Sequence, residues 1–320
     1  MTRIEVVAPD GAPDVQPDDD LVEVILPLVE LVDGDIVVVT SKVVSKAEGQ
    51  VRPGSREDAL PGETVRVVAR RGATSIVRTR HGLTLAAAGI DNSNVEQGSV
   101  VLLPDDPDAS ARGIRAGLLR RTGRNVAVVV TDTAGRAWRE GQTDIAIGAA
   151  GLVVAEDFAG RVDGHGNELA VTAPAVADEI AGVAELAQGK LGGRPFAVVR
   201  GRADLVLPPD DDGPGAAALV RPEGGDLFGY GAREAVVRAL KGDPADRAPF
   251  GTPASPEELT AAIVEVLGLR ASRSGRENDT LIVTFPKGMA RALAALAFAH
   301  GWTVHATDSP SDVRLRPRAL

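Results

Sequence analysis

The chain has 320 residues and no cysteine, which excludes disulfides, thiolate catalysis and cysteine-based zinc sites. Histidine is scarce as well: His81, His165, His300 and His305 are the four present, and none pairs with another at the helical spacing of metal ligands. Aromatic residues make up 3% of the chain, so the core has to be assembled from Val, Ala, Leu and Ile. Cationic side chains are in the minority, with 35 Lys and Arg against 45 Asp and Glu. That acidic balance argues against a general binder of nucleic acid or membrane surfaces, and an anionic ligand would need locally placed Lys and Arg or metal ions. No apolar run reaches membrane-spanning length and no basic-then-apolar leader is present, so the expected location is the cytoplasm.

What remains is an ordinary globular composition in a chain longer than one small domain needs. Its centre is the β-branched run 126–130, which leads into Thr131-Asp132-Thr133-Ala134-Gly135-Arg136-Ala137-Trp138-Arg139. A strand buried on both faces delivers side chains to a cleft at its carboxyl end in this way. A carboxylate beside a hydroxyl suits a hard cation such as Mg²⁺, and Arg136 and Arg139 suit phosphate oxygens. A second buried strand, 36–39, runs into Thr40-Ser41-Lys42-Val43-Val44-Ser45-Lys46, the composition of a phosphate-binding turn without the glycine pattern of a P-loop. A third cluster, Ala88-Gly89-Ile90-Asp91-Asn92-Ser93-Asn94, offers another carboxylate to a cation and an amide to a base or ribose.

Around these, residues 8–19 form a Pro/Asp/Gly-rich loop able to approach a ligand with its backbone. Asp20 caps a helix over 21–31 that Pro27 should kink or stop early. Asp108 or Ser110 caps a helix over 111–121. An acidic Pro/Gly loop at 208–215 reads as exposed and mobile. Residues 242–256, rich in Pro, Gly and Asp, read as a linker between a domain over 1–243 and a small α/β unit over 256–320. That unit reads as helix 256–267, polar loop, strand 280–285, helix 287–300 opened by Lys287, strand 302–307 flanked by His300 and His305, and a final extended piece.

Taken together, the stretches Asp33-Gly34-Asp35 through Thr40-Ser41-Lys42, Ser45 to Gly49, Ala88 to Asn94, Leu102-Leu103-Pro104-Asp105-Asp106-Pro107-Asp108 and Asp132 to Asp144 resemble the coenzyme F420-0:L-glutamate ligases, or γ-glutamyl ligases. Ala177-Asp178-Glu179-Ile180 and Leu219-Val220-Arg221-Pro222 extend the likeness. It implies a mixed-sheet α/β fold and a homodimer. It also implies a GTP-driven reaction in which the phospholactate carboxylate of F420-0 becomes an acyl phosphate and L-glutamate displaces the phosphate, releasing GDP. The absence of His and Cys nucleophiles agrees with such chemistry, which rests on positioning and charge neutralisation.

By motif position, the resemblance assigns Asp91 and Asp132 to one metal ion and Thr133 to a second. The ions would be Mg²⁺ or Mn²⁺, two per site, with K⁺ as a further candidate. Ser41, Lys42, Lys46 and Asn94 would contact GTP, as would the loop Ala12-Pro13-Asp14-Val15, and Asp132 and Arg139 would act in catalysis. Near Gln188-Gly189-Lys190 the pattern calls for an acidic metal ligand, where this chain has Lys190. The bifunctional members carry a flavin-binding domain after the ligase, and this chain has too few residues for one, so no flavin is expected. The rival expectations are an amide ligase of the same chemistry acting on another carboxylate, and a nucleotide-sensing protein that keeps the fold without turnover.

Overall fold

A computed structural model describes residues 3–71, 73–222, 225–226, 228–274, 280–286 and 288–318. The chain divides into two units, Met1–Val220 and Arg221–Leu320. The first contains β1 (Glu5–Val7), α1 (Leu21–Ile25), β2 (Ile36–Thr40), α2 (Ser41–Ala47), β3 (Val51–Pro53), α3 (Arg56–Glu63), β4 (Thr64–Arg71), β5 (Thr74–Thr79), β6 (Thr84–Ala86), β7 (Ser99–Val101), α4 (Pro107–Thr122), β8 (Ala127–Gly135), β9 (Gln142–Ala150), α5 (Val176–Gln188) and β10 (Phe196–Arg200).

Its main sheet has the order β1-β10-β2-β8-β9. The two valine-rich strands β2 and β8 form the parallel pair at its centre, and every other pairing in it is antiparallel. Residues pointing one way from this sheet, including Val37, Val39, Val128 and Val130, pack with α1, α2 and α4. Those pointing the other way, including Ile36, Val38, Ala127 and Val129, pack with α5. Burial on both faces explains why these strands are continuous β-branched runs rather than alternating ones. Because β2 and β8 are parallel and in register from Ile36↔Ala127 to Thr40↔Thr131, their carboxyl ends lie side by side. Ser41 and Asp132 therefore meet, although far apart in sequence.

Helix α1 stops at Ile25, ahead of Pro27, as a missing amide and the proline ring dictate. Helix α4 begins earlier than its apolar periodicity suggests. Asp106 is the cap, accepting from Ala109 N at 2.9 Å, and Pro107 fills the first helical position. Asp108 is not a cap; its carboxylate accepts from Ala149 N and Ala216 N. The first turn of α4 lies so close to β9 that a side chain on Gly148 would collide with the Pro107 carbonyl.

The loop 208–215 is exposed but anchored. Arg115, 3% exposed, donates to the carbonyls of Val126, Leu207, Pro208 and Asp211 and to the side chains of Asn125 and Asp212.

The second unit contains α6 (Ala232–Lys241), α7 (Pro256–Leu267), β11 (Ala271–Ser274), β12 (Thr280–Thr284), α8 (Ala290–Ala299), β13 (Trp302–Ala306) and β14 (Asp312–Pro317). Its antiparallel sheet has the order β11-β12-β14-β13, so the final extended piece is an inner strand and part of the polar loop after α7 is an edge strand. Leu259, Ile263, Leu281, Val283, Leu293, Trp302 and Leu315 form its core. Helix α6 groups with this unit, although the linker reading assigns it to the first. Tyr230 and Phe298 both contact Phe250, with ring centroids 5.1 and 5.7 Å away. His300 is spent on the Leu296 carbonyl and His305 on Thr303. Lys287 lies outside the described residues.

Candidate active site

At the carboxyl ends of β2 and β8 lies a cleft of about 480 Å³ within the first unit. Strand alternation sends Asp132 to one side of β8 and Thr131 and Thr133 to the other, so the cleft straddles the end of the sheet. On the Asp132 side, Ser41 Oγ donates to Asp132 Oδ1 at 3.0 Å. Asp91 stands nearby, held by Ser93 N at 2.9 Å and Ser93 Oγ at 2.8 Å, and Lys42 Nζ lies 2.6 Å from its Oδ2. Lys46, on the next turn of α2, reaches Asp14 at 2.6 Å.

On the other side, Asp144 of β9 faces Thr133 across the hairpin and accepts from Thr133 Oγ1 at 2.8 Å and Thr131 Oγ1 at 3.1 Å. Glu185 and Gln188 enter from the last turn of α5. Lys190 and Arg194 line the loop that follows, and Arg194 pairs with Asp10 at 2.8 Å.

The two aspartates nominated for one metal differ sharply in ionisation. Burial pushes the Asp132 carboxyl up to about 7, assisted by the charges of Asp144 and Asp91 and opposed by the Ser41 hydroxyl. Burial acts on Asp91 too, but the Lys42 ammonium and the two bonds from Ser93 outweigh it and hold that carboxyl down to about 2. Glu185 is raised by burial and by Asp144, against the pull of Lys190. Asp14 is lowered by its bond to Lys46.

Five carboxylates and four cationic side chains line this cleft. Among the described residues no three His, Asp or Glu side chains are grouped closely enough to hold a metal ion by themselves. A cation here would have to be completed by hydroxyl, amide and ligand oxygens, which is how Mg²⁺ is held beside phosphates. Gln188 fits such a role. It is 2% exposed, it lines the cleft, and neither atom of its amide has a protein partner.

Ala12, Pro13, Asp14, Val15, Ser41, Lys42, Lys46, Asp91, Asn94, Asp132 and Thr133 all line this cleft. Arg139 does not. Strand β8 continues to Gly135 before turning, which carries 136–141 past the cleft, and Arg139 is exposed in that turn. Asp144, Glu185 and Gln188 were not nominated. Asp144 closes the motif that begins at Asp132, and the hairpin register identifies it, since it sits directly opposite Thr133. Glu185 and Gln188 lie three apart, on one helix face.

The arrangement defines an α/β protein with an oxygen-rich cleft at the ends of parallel strands, its carboxylates interleaved with lysines. The chain belongs to the F420-0:Gamma-glutamyl ligase family, whose model matches residues 11–201. It is 42% identical over 219 residues to a coenzyme F420:L-glutamate ligase of Archaeoglobus fulgidus, covering 62% of this chain and 88% of that protein. A protein of the same name from Methanothermobacter thermautotrophicus is 37% identical over 252 residues, 70% of this chain and 98% of its own. One from Methanopyrus kandleri is 39% identical over 239 residues, 67% and 93% respectively. No helix among the described residues is long and apolar enough to cross a membrane.

Proposed function

We propose that this chain is a GTP-dependent ligase that joins L-glutamate to the phospholactate carboxylate of coenzyme F420-0 and then extends a γ-linked tail, working as a cytoplasmic homodimer. The observation that supports it most is the convergence in one cleft of Asp14, Ser41, Lys46, Asp91, Asn94, Asp132 and Thr133 from segments far apart in sequence.

In this reading the acceptor carboxylate attacks the γ-phosphorus of GTP, the bond to the bridging oxygen breaks, and GDP leaves. The amine of glutamate then attacks the acyl phosphate, losing a proton as inorganic phosphate departs. Lys46 and Ser41 hold the polyphosphate; Lys42 turns from Asp91 to the phosphate. Asp91, Asp132 and Thr133 would hold Mg²⁺ or Mn²⁺, which when bound neutralises phosphate charge. Glu185, one turn before the position where the family pattern calls for an acid, supplies the carboxylate that Lys190 does not.

Incubating the purified chain with F420-0, GTP, Mn²⁺ and glutamate should give products heavier by successive glutamyl units, with GDP and phosphate. GTP turnover with another carboxylate alone would move the assignment to a different acceptor, and nucleotide binding without any turnover would support the sensing protein. Lys46→Ala should weaken GTP binding more than about tenfold, the loss of one charge-assisted contact. Calorimetry with unchanged affinity would place the polyphosphate elsewhere.

A further inference from the structure

Thr131 and Thr133 point to the same side of β8, and Asp144 accepts a hydrogen bond from each, with one carboxylate oxygen for each hydroxyl. Asp144 is 3% exposed. A hydroxyl carries one hydrogen and a carboxylate only accepts, so each threonine has spent its proton. What Thr133 still offers the cleft is lone pairs.

We propose that Asp144 is a positioning residue that makes Thr133 an obligate electron-pair donor, so that the ligand group facing Thr133 is a divalent cation and not a phosphate oxygen. A phosphate oxygen would need a donor from Thr133, and that hydroxyl has no proton left to give. Asp144 is itself fixed by its place in the β8–β9 hairpin, directly opposite Thr133. The bond from Thr131 holds its second oxygen, so the carboxylate cannot rotate away without breaking a buried contact. Gln188, whose amide has no protein partner, lines the same cleft and is free to turn its oxygen to a cation there. The inference rests on the reading of the cleft as a metal and nucleotide site and adds to it the reason why Thr133 ligates.

The test is a Mn²⁺ titration of the full chain with GDP present, counted by electron paramagnetic resonance. GDP blocks turnover, so the readout is independent of activity. The wild type should bind two ions. Asp144→Asn removes the charge that holds both protons and leaves one acceptor for two hydroxyls, so Thr133 is no longer held with its proton turned from the cleft. It should weaken one ion by tenfold or more and leave the other within twofold. Thr133→Val should do the same, while Thr133→Ser, which keeps the hydroxyl, should behave as wild type.

A structural role for Asp144 would instead lower both affinities together with the melting temperature, and that result would overturn the proposal, as would unchanged binding in Asp144→Asn and Thr133→Val. If Asp144→Asn does not fold, Thr131→Val, which removes the bond fixing the second carboxylate oxygen, takes its place: it should weaken the same ion as Thr133→Val, and unchanged binding there would overturn the proposal. A wild type that binds no Mn²⁺ would remove the metal reading and this inference with it. Two bound ions with indifferent variants would remove this inference only.

Discussion

The Asp132 carboxyl should make the metal-free protein less stable as pH rises, and removing that carboxyl should abolish the effect. Its ordinary value of 3.8 is pushed up to about 7 in the folded chain. Between those two values the unfolded chain has lost the proton and the folded chain keeps it, so stability falls with rising pH across that window and is level above it. A displacement of about three pH units at about 1.4 kcal/mol each is worth about 4 kcal/mol. For a unit of this size that corresponds to a melting temperature lower by about 10 °C at pH 8 than at pH 4. Other groups titrate in the same range, so the quantity to measure is the difference between the wild type and Asp132→Asn. Both should be stripped with chelator and melted by calorimetry from pH 4 to pH 8. Asn keeps the shape and can accept from Ser41, and it should be the more stable protein at pH 8 by about 4 kcal/mol, with the gap closing towards pH 4. Adding Mn²⁺ at pH 8 should raise the wild type more than the variant, which lacks a ligand to one of the two ions. Equal pH slopes in the two proteins would refute the burial argument.

Two further expectations follow from contacts already described. Arg115→Met removes a buried guanidinium that donates to four backbone carbonyls and should cost about 3 kcal/mol, seen as a lower urea midpoint at unchanged slope, with faster proteolysis within 208–215; a midpoint near that of the wild type would mean that water replaces the arginine. Lys42→Gln frees Asp91 from an ammonium 2.6 Å away, so Mn²⁺ should bind the nucleotide-free protein about tenfold more tightly. Equal or weaker Mn²⁺ binding in that variant would show that Lys42 does not compete with the cation.

Much of the fold was legible because the strongest sequence signals coincide with the centre of the structure. Two valine-rich runs, 36–39 and 126–130, have the length and β-branching of strands buried on both faces, and the polar residues that end them emerge at the end of the sheet. The linker reading drew the boundary at the richest Pro/Gly stretch, but Pro249 is buried, Phe250 packs on Phe298, and α6 lies against α8 with Arg238 bonded to Asp246. Strand β14 was not legible as an inner strand. Val313 and Leu315 alternate with Arg314 and Arg316, and in an antiparallel sheet with one solvated face that alternation suffices for an inner position.

The site divides along the same physical line. Ser41, Asp91, Asp132 and Thr133 follow apolar runs, so their place at strand or turn ends could be read locally. Asp144 depends on hairpin register, and Glu185 on the phase of a helix against a sheet, neither of which is a local property. Gln188 did leave a readable trace. The buried stripe of α5 runs through Ala177, Ile180, Ala181 and Ala184 and then reaches Gln188, where another apolar side chain would continue it. A buried amide without partners costs about 1 to 3 kcal/mol, a cost that Leu at that position would avoid. The protein carries that cost where the helix opens onto the cleft, so the polar break in an otherwise apolar stripe marks the point at which α5 stops lining the core and begins to line the cleft.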